Sequence, residues 1–222
     1  MTLEELANRI DCSLLRPDAT KRDFEKLLER AIKFPFASLC VPPSYAGFIS
    51  KLLKARLKVC AVVGFPLGYQ TKGAKVFEAM EAVQNGAGEI DMVMNISAFK
   101  SGEFIAVEEE IRAIVSALPR TVVKVIIETC YLTDREKVLA VEAIVRAGAH
   151  FVKTSTGFGP KGATLGDVRL LKEAARGRIK VKAAGGIKTL KHALTMLGAG
   201  ADRLGTSHGI EMVEGYRTSA LP

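Results

Sequence analysis

Three separated stretches of the chain follow one pattern: "NGAGEIDMVMN", "AGAHFVKTSTG" and "GAGADRLGTSHG". In each, a helix-like segment stops at Gly-Ala and passes into a short apolar strand that ends in polar or glycine residues. Gly86, Gly148 and Gly200 fit the left-handed position that terminates a helix, because glycine has no Cβ to clash there. Recurring helix-stop-strand units restrict the chain to a repeated βα architecture.

Extending the pattern outward predicts eight strands: "IDCSLL", "ASLCV", "KVCAVVGF", "EIDMVMN", "TVVKVIIE", "FVKTST", "IKVKAAGG" and "DRLGTS". Amphipathic stretches such as "KRDFEKLLERAIKF" and "DREKVLAVEAIVRA" separate them. Eight strands alternating with helices, at roughly 25 to 30 residues per unit, predict a (β/α)₈ barrel, with an open doubly wound sheet as the alternative. No linker, low-complexity tract or shift in composition divides the 222 residues, so residues 1–222 read as a single domain.

Composition narrows the function. Apolar residues make up 48% and charged residues 25%, as in an ordinary globular protein with a sizeable core. The start, "MTLEELANRI", has neither the basic nor the apolar region of a secretory leader, and no apolar run approaches the roughly 20 residues of a membrane span. A cytoplasmic protein without membrane attachment is expected. Cys12, Cys40, Cys60 and Cys130 are scattered without a CxxC pair, and His150, His192 and His208 lie at no metal-ligand spacing. Neither a metal nor another cofactor is therefore expected. The net charge of +8 is distributed among acidic neighbours with little aromatic interleaving. That pattern argues against a nucleic-acid partner and leaves room for one local anion site.

Alternation along the strands isolates the chemistry. Asp91 shares a face with Val93 and Asn95, Lys124 with Ile126 and Glu128, Lys153 with Phe151 and Ser155, and Lys182 with Lys180 and Ala184. The opposite faces, Ile90-Met92-Met94 and Val125-Ile127, are apolar and suit packing against helices. Parity therefore sends Asp91, Lys124, Lys153 and Lys182 into the barrel. Any one of these lysines could be a solvated rim charge or part of an ion-pair network, but together they form a site. Ammonium groups a few ångströms apart disfavour each other's charge, and burial adds to this, so one lysine can stand as a free amine near neutral pH. Such an amine attacks carbonyls to form a Schiff base, while a neighbour that stays charged stabilises the intermediate and an aspartate moves protons. Parity alone does not say which lysine attacks. The glycine-rich ends "STGFG", "AAGGI" and "GTSHG" offer backbone N–H groups and helix N-termini to a phosphate.

These residues resemble the 2-deoxyribose-5-phosphate aldolases. The resemblance is carried by "EIDMVMN", "KVIIET", "FVKTSTGF", "VKAAGGI" and "RLGTS", in order across most of the chain, and extends to "DCSLLRPDAT" and "LCVPP". It implies a (β/α)₈ barrel in which Lys153 forms the Schiff base and Asp91 and Lys182 transfer protons, with Lys182 also easing proton loss from the nucleophile. It places Gly157, Gly185, Gly186 and Ser207 at a substrate phosphate, with His208 beside them. Asp11, Ser13, Cys40 and Lys124 would lie near the substrate. The implied reaction is reversible cleavage of 2-deoxy-D-ribose 5-phosphate to D-glyceraldehyde 3-phosphate and acetaldehyde, in deoxyribose catabolism. The implied partners are a small sugar phosphate and further copies of the chain. Another Schiff-base barrel aldolase for a different sugar phosphate, or a non-catalytic phosphate-binding barrel, are the rival readings. Two departures stand out: the opening motif reads Asp11-Cys12-Ser13 where the family usually has Asp-His-Thr, and His208 replaces a second serine after "GT".

Overall fold

Strands and helices alternate through the computed structural model of the chain, which describes residues 1–219. The strands are β1 (Ile10–Ser13), β2 (Ser38–Val41), β3 (Val59–Val63), β4 (Glu89–Val93), β5 (Val122–Ile126), β6 (Phe151–Lys153), β7 (Lys180–Ala184) and β8 (Arg203–Thr206). All pair in parallel with their sequence neighbours, and β8 closes on β1 through Ile10↔Leu204, Asp11↔Gly205 and Cys12↔Thr206. The sheet is thus a closed (β/α)₈ barrel, which overturns the open-sheet alternative.

Ten helices surround it among the described residues: α1 (Leu3–Ala7), α2 (Lys21–Ala31), α3 (Pro43–Leu53), α4 (Lys72–Gln84), α5 (Ile96–Lys100), α6 (Phe104–Ala117), α7 (Asp134–Ala147), α8 (Leu165–Ala175), α9 (Leu190–Gly198) and α10 (Gly209–Ser219). Threonine starts six of them. Thr2, Thr20, Thr71, Thr133, Thr164 and Thr189 each accept the N–H three residues on, which satisfies a backbone donor the helix cannot use. Each such cap is worth about 1 kcal/mol. At the other end, Gly86, Gly148 and Gly200 have φ of 98°, 82° and 111°, as the Gly-Ala pattern requires. No helix among the described residues is long and apolar enough to cross a membrane.

Strand parity divides the molecule into two interiors. Ile90, Met92, Met94, Val123, Val125 and Ile127 point outward and join the large apolar core beneath the helices. The lumen holds a much smaller apolar cluster of Cys40, Cys60 and Val62, with Leu15 and Phe65 against it. Between apolar inward residues such as Val93, Ile126 and Phe151, the lumen carries a set of buried charges.

Every strand is shorter than its sequence reading, and β6 shows why. The predicted "FVKTST" keeps strand geometry only through Lys153. Thr154 still pairs through its backbone with Lys182 O and Thr129 N–H, while its hydroxyl donates to Ala184 O. Beyond it, Thr156 N–H donates to Glu128 instead of a strand partner, and the chain becomes a loop.

Candidate active site

All eight strands contribute to one buried polar network. Register sets Asp91 of β4 beside Lys124 of β5, Lys153 of β6 beside Lys182 of β7, and Lys182 beside Arg203 of β8. Lys153 Nζ donates to Asp91 Oδ2 at 2.7 Å, and Lys182 Nζ reaches the same oxygen at 2.6 Å. Lys182 also makes a short contact with Asp11 Oδ2. Lys124 Nζ lies 2.6 Å from Glu89 Oε2, 2.9 Å from Asp91 Oδ1 and 3.6 Å from Asp11 Oδ2. Arg203 Nη1 bridges Asp11 Oδ1 at 2.9 Å and Glu89 Oε2 at 3.0 Å. Ser38 Oγ donates to Asp11 at 2.7 Å. The thiols of Cys60 and Cys40 lie 3.2 and 3.9 Å from the Asp91 oxygens.

The charges in this network do not balance. Four cationic side chains, Lys124, Lys153, Lys182 and Arg203, meet three carboxylates, Asp11, Glu89 and Asp91. Burial would raise the pKa of Asp91, but Lys124, Lys153 and Lys182 outweigh it and hold the carboxyl well below its usual range. Burial acts likewise on Asp11, where Lys182, Lys124 and Arg203 prevail. For Lys182, burial alone would lower the pKa, and Asp11 and Asp91 reverse this and raise it. Lys124 is raised in the same way against burial, with Asp91 the largest of its charged partners. Lys124 and Lys182 therefore remain ammonium groups. Lys153 has one ion-pair partner among the described residues, Asp91, and shares that oxygen with Lys182.

A cavity of about 320 Å³ opens above this network. Of the residues expected at a site, Asp11, Ser13, Cys40, Lys153, Gly157, Lys182, Gly185, Gly186, Ser207 and His208 line it. Asp91 and Lys124 do not. They sit beneath it, fully buried, and touch residues that line it: Asp91 touches Lys153, Lys182 and Cys40, and Lys124 touches Asp11. Lys124 thus belongs to the ionic support and does not line the cavity, because its strand register sets it against Phe151, two residues before Lys153.

The loops after β6, β7 and β8 close one side. Gly185 has φ of 91°, and a Cβ there would come within 3.0 Å of Gly162 Cα, so two loop backbones pack against each other. Glu128, buried behind the β6 loop, accepts from Thr156 N at 3.1 Å and from the Thr156 hydroxyl. Burial raises its pKa, only partly opposed by those hydrogen bonds and by the nearby Lys153. Ser207 Oγ is 3.1 Å from His208 Nδ1, and both precede the first turn of α10. The His208 N–H is taken up by Thr206 Oγ1 at 3.0 Å. Cys12, the departure in the opening motif, is wholly buried in the outer core with its thiol pushed up to about 12 by burial, away from the cavity.

Cys40, Cys60 and Asp91 bring three possible metal-binding atoms within 4.8 Å of one another. Three lysine side chains already hold Asp91, and the ammonium charges of Lys124 and Lys182 oppose a cation at that point. Sequence reasoning missed Glu89, Arg203 and Cys60 as members of the site. Parity could have found two of them, since Glu89 lies two residues before Asp91 and Arg203 two before Gly205, whereas Cys60 is placed by its pairing with the inward Cys40, a matter of register.

Comparison with known proteins agrees with this geometry. The profile of the DeoC/LacD family aldolases matches residues 10–213. A deoxyribose-phosphate aldolase of Dictyoglomus turgidum is 51% identical over 97% of this chain and 99% of its own length. The solved structure of QR15, an aldolase, superposes with a TM-score of 0.93 at 45% identity, covering 96% of each chain. The tetrameric deoxyribose phosphate aldolase from Aeropyrum pernix superposes with a TM-score of 0.92 at 37% identity, over 99% of this chain and 94% of the other.

Proposed function

The chain belongs to the DeoC/LacD aldolase family, and we propose that it reversibly cleaves 2-deoxy-D-ribose 5-phosphate through a Schiff base on Lys153. The observation that carries this reading is the uneven charge of the lumen. Lys124 and Lys182 are held as ammonium groups by several carboxylates, whereas Lys153 shares a single carboxylate oxygen and opens on the cavity. The lysine with the fewest counter-ions is the one that most readily gives up a proton.

In cleavage, the Lys153 amine adds to the C1 aldehyde of the open-chain sugar. The carbinolamine loses water, and Lys182, an ammonium on the cavity wall, supplies the proton for the departing hydroxide. The neutral Lys182 amine left by that step takes the C3 hydroxyl proton, and the C2–C3 bond breaks. Its electron pair moves into the iminium to give an enamine, and glyceraldehyde 3-phosphate leaves. Protonation at C2 and hydrolysis release acetaldehyde and restore the lysine. Asp91, a carboxylate touching both Lys153 and Lys182, passes protons between them. Because the iminium accepts the electron pair, the chemistry makes no demand for a metal ion.

At the far end of the cavity, the N–H groups of Gly185 and Gly186, the Ser207 hydroxyl and the start of α10 suit a dianionic phosphate. Gly157 and His208 complete that end, and Asp11, Ser13 and Cys40 border the sugar. The whole chain acts as one catalytic unit in the cytoplasm, a reducing setting that suits buried thiols beside the reacting lysine. It associates with copies of itself through the apolar residues that α4 and α6 expose, Phe77, Met80 and Ile105. Light scattering at micromolar concentration should give a mass above the 23.9 kDa of one chain.

A coupled assay for acetaldehyde release tests the activity. Turnover should require deoxyribose 5-phosphate and survive exhaustive chelation. Equal rates with sugar phosphates that carry a 2-hydroxyl, or loss of activity restored by a divalent ion, would sink the reading.

A further inference from the structure

We propose that Arg203 and Glu89, on the floor of the barrel, are positioning residues that set how readily Lys153 stands as a free amine, by fixing the charge balance of the lumen. The inference rests on the reading of Lys153 as the nucleophile. Neither residue lines the active cavity, and both are tied to the network from below. Glu89 is 1% exposed and holds Lys124 at 2.6 Å, while Arg203 bridges Glu89 and Asp11 and lies over the Phe151 ring at 5.3 Å to its centroid.

Lys153 is surrounded by Asp11 on β1, the thiols of Cys40 and Cys60 on β2 and β3, and Asp91 above Glu89 on β4. Lys124 on β5, Lys182 on β7 and Arg203 on β8 complete the ring, and the buried Glu128, hydrogen-bonded to Thr156, adds a negative charge that acts on Lys153 from outside ion-pair distance. Within ion-pair distance three carboxylates face four cations, and Glu128 contributes a more distant negative charge that substitutions at Glu89 and Arg203 leave unchanged. A guanidinium does not lose its proton in proteins, so the excess positive charge falls on an amine. Lys124 and Lys182 are each held by at least two carboxylates, which leaves Lys153. If Arg203 were neutral, three ammonium groups would face three carboxylates and Lys153 would have less reason to deprotonate. If Glu89 were neutral, four cations would face two carboxylates and it would have more.

Opposite shifts from two floor residues are a signature that mere loosening of the fold does not produce. The test is a pulse of acetic anhydride across a pH series, with acetylation of Lys153 quantified by peptide mass. Glu89→Gln should lower the pH midpoint of Lys153 labelling by about one unit, and Arg203→Met should raise it by about as much. Arg203→Lys should stay near the parent, and the double variant should return toward it. Midpoints that move in the same direction, or that stay within about 0.3 units of the parent where a full unit is expected, would overturn the proposal. Should Arg203→Met not fold, the sign of the shift in the isosteric Glu89→Gln decides alone. Labelling needs no sugar, so it reads the charge balance even if the aldolase reading fails. Absence of turnover in the parent would strike that reading only.

Discussion

Lys182 is where residue-scale chemistry is most exposed to test. It touches Asp11 and Asp91, both held as carboxylates by the surrounding cations, and it lines the cavity beside Lys153. In the proposed reaction its ammonium offers the proton that hydroxide needs on leaving the carbinolamine. Lys182→Leu should therefore lower kcat by about 10²- to 10⁴-fold, the usual worth of a positioned acid or base. Steady-state kinetics with deoxyribose 5-phosphate measure this, and a near-normal kcat would remove Lys182 from proton transfer. The inward lysines were legible in the sequence because a polar residue in a period-two strand has only two faces to choose from. Lys124 was legible as inward but not as sitting below the cavity, since depth depends on strand register, which parity does not give. Arg203 and Glu89 passed unremarked because a charge at the first position of a strand also fits an exposed rim.

At the scale of elements, the strand bearing Asp91 is fixed from outside by a second buried ion pair. Lys75 of α4 donates to Glu110 of α6 at 2.9 Å and to Val93 O, at the end of β4, also at 2.9 Å. Glu110 in turn accepts from Asn95 N–H at 3.1 Å. Burial lowers the Lys75 pKa and raises that of Glu110, the strain expected of charges withdrawn from water. Lys75→Met leaves the carboxylate and the Val93 carbonyl without their donor and should cost about 3–5 kcal/mol of stability. Adding Glu110→Leu should recover most of that loss, as urea unfolding of the single and double variants will show. A single variant as stable as the parent would mean that the pair contributes nothing to holding β4. Nothing in the sequence revealed this pair, for both residues sit within helical patterns where charge reads as a solvated face. The helices themselves were plain: "DREKVLAVEAIVRA" coincides with α7, whose Thr133 and Glu136 form a reciprocal cap. Strand ends were not, because hydrogen bonds such as that from Thr156 N–H to Glu128 divert the backbone after β6.

For the whole molecule, closure of the barrel gathers charges that lie far apart in the sequence, such as Asp11 and Lys182, into one buried interior. The recurring Gly-Ala stops made that architecture readable, since eight βα units leave few ways to bury eight strands. The same gathering gives a pH dependence. Asp11 and Asp91 have folded pKa values below their unfolded ones, so they bind protons less well in the native state. Their contribution to stability is complete above the unfolded carboxylate range near pH 4 and is lost as pH falls through the lower folded values. Urea unfolding between pH 7 and pH 2.5 should show stability level near neutrality and falling steeply in acid. In Asp91→Asn the acid slope should be shallower. An equal slope in both proteins would mean that the lumen carboxylates do not govern acid unfolding.

The central claim is that the lysine with the fewest counter-ions, Lys153, makes the covalent bond. Incubation with acetaldehyde and borohydride, followed by digestion and peptide mass mapping, reads this directly. The account predicts one stable ethyl adduct, on Lys153, absent from Lys153→Leu. An adduct on Lys124 or Lys182, or one that survives in Lys153→Leu, would contradict it.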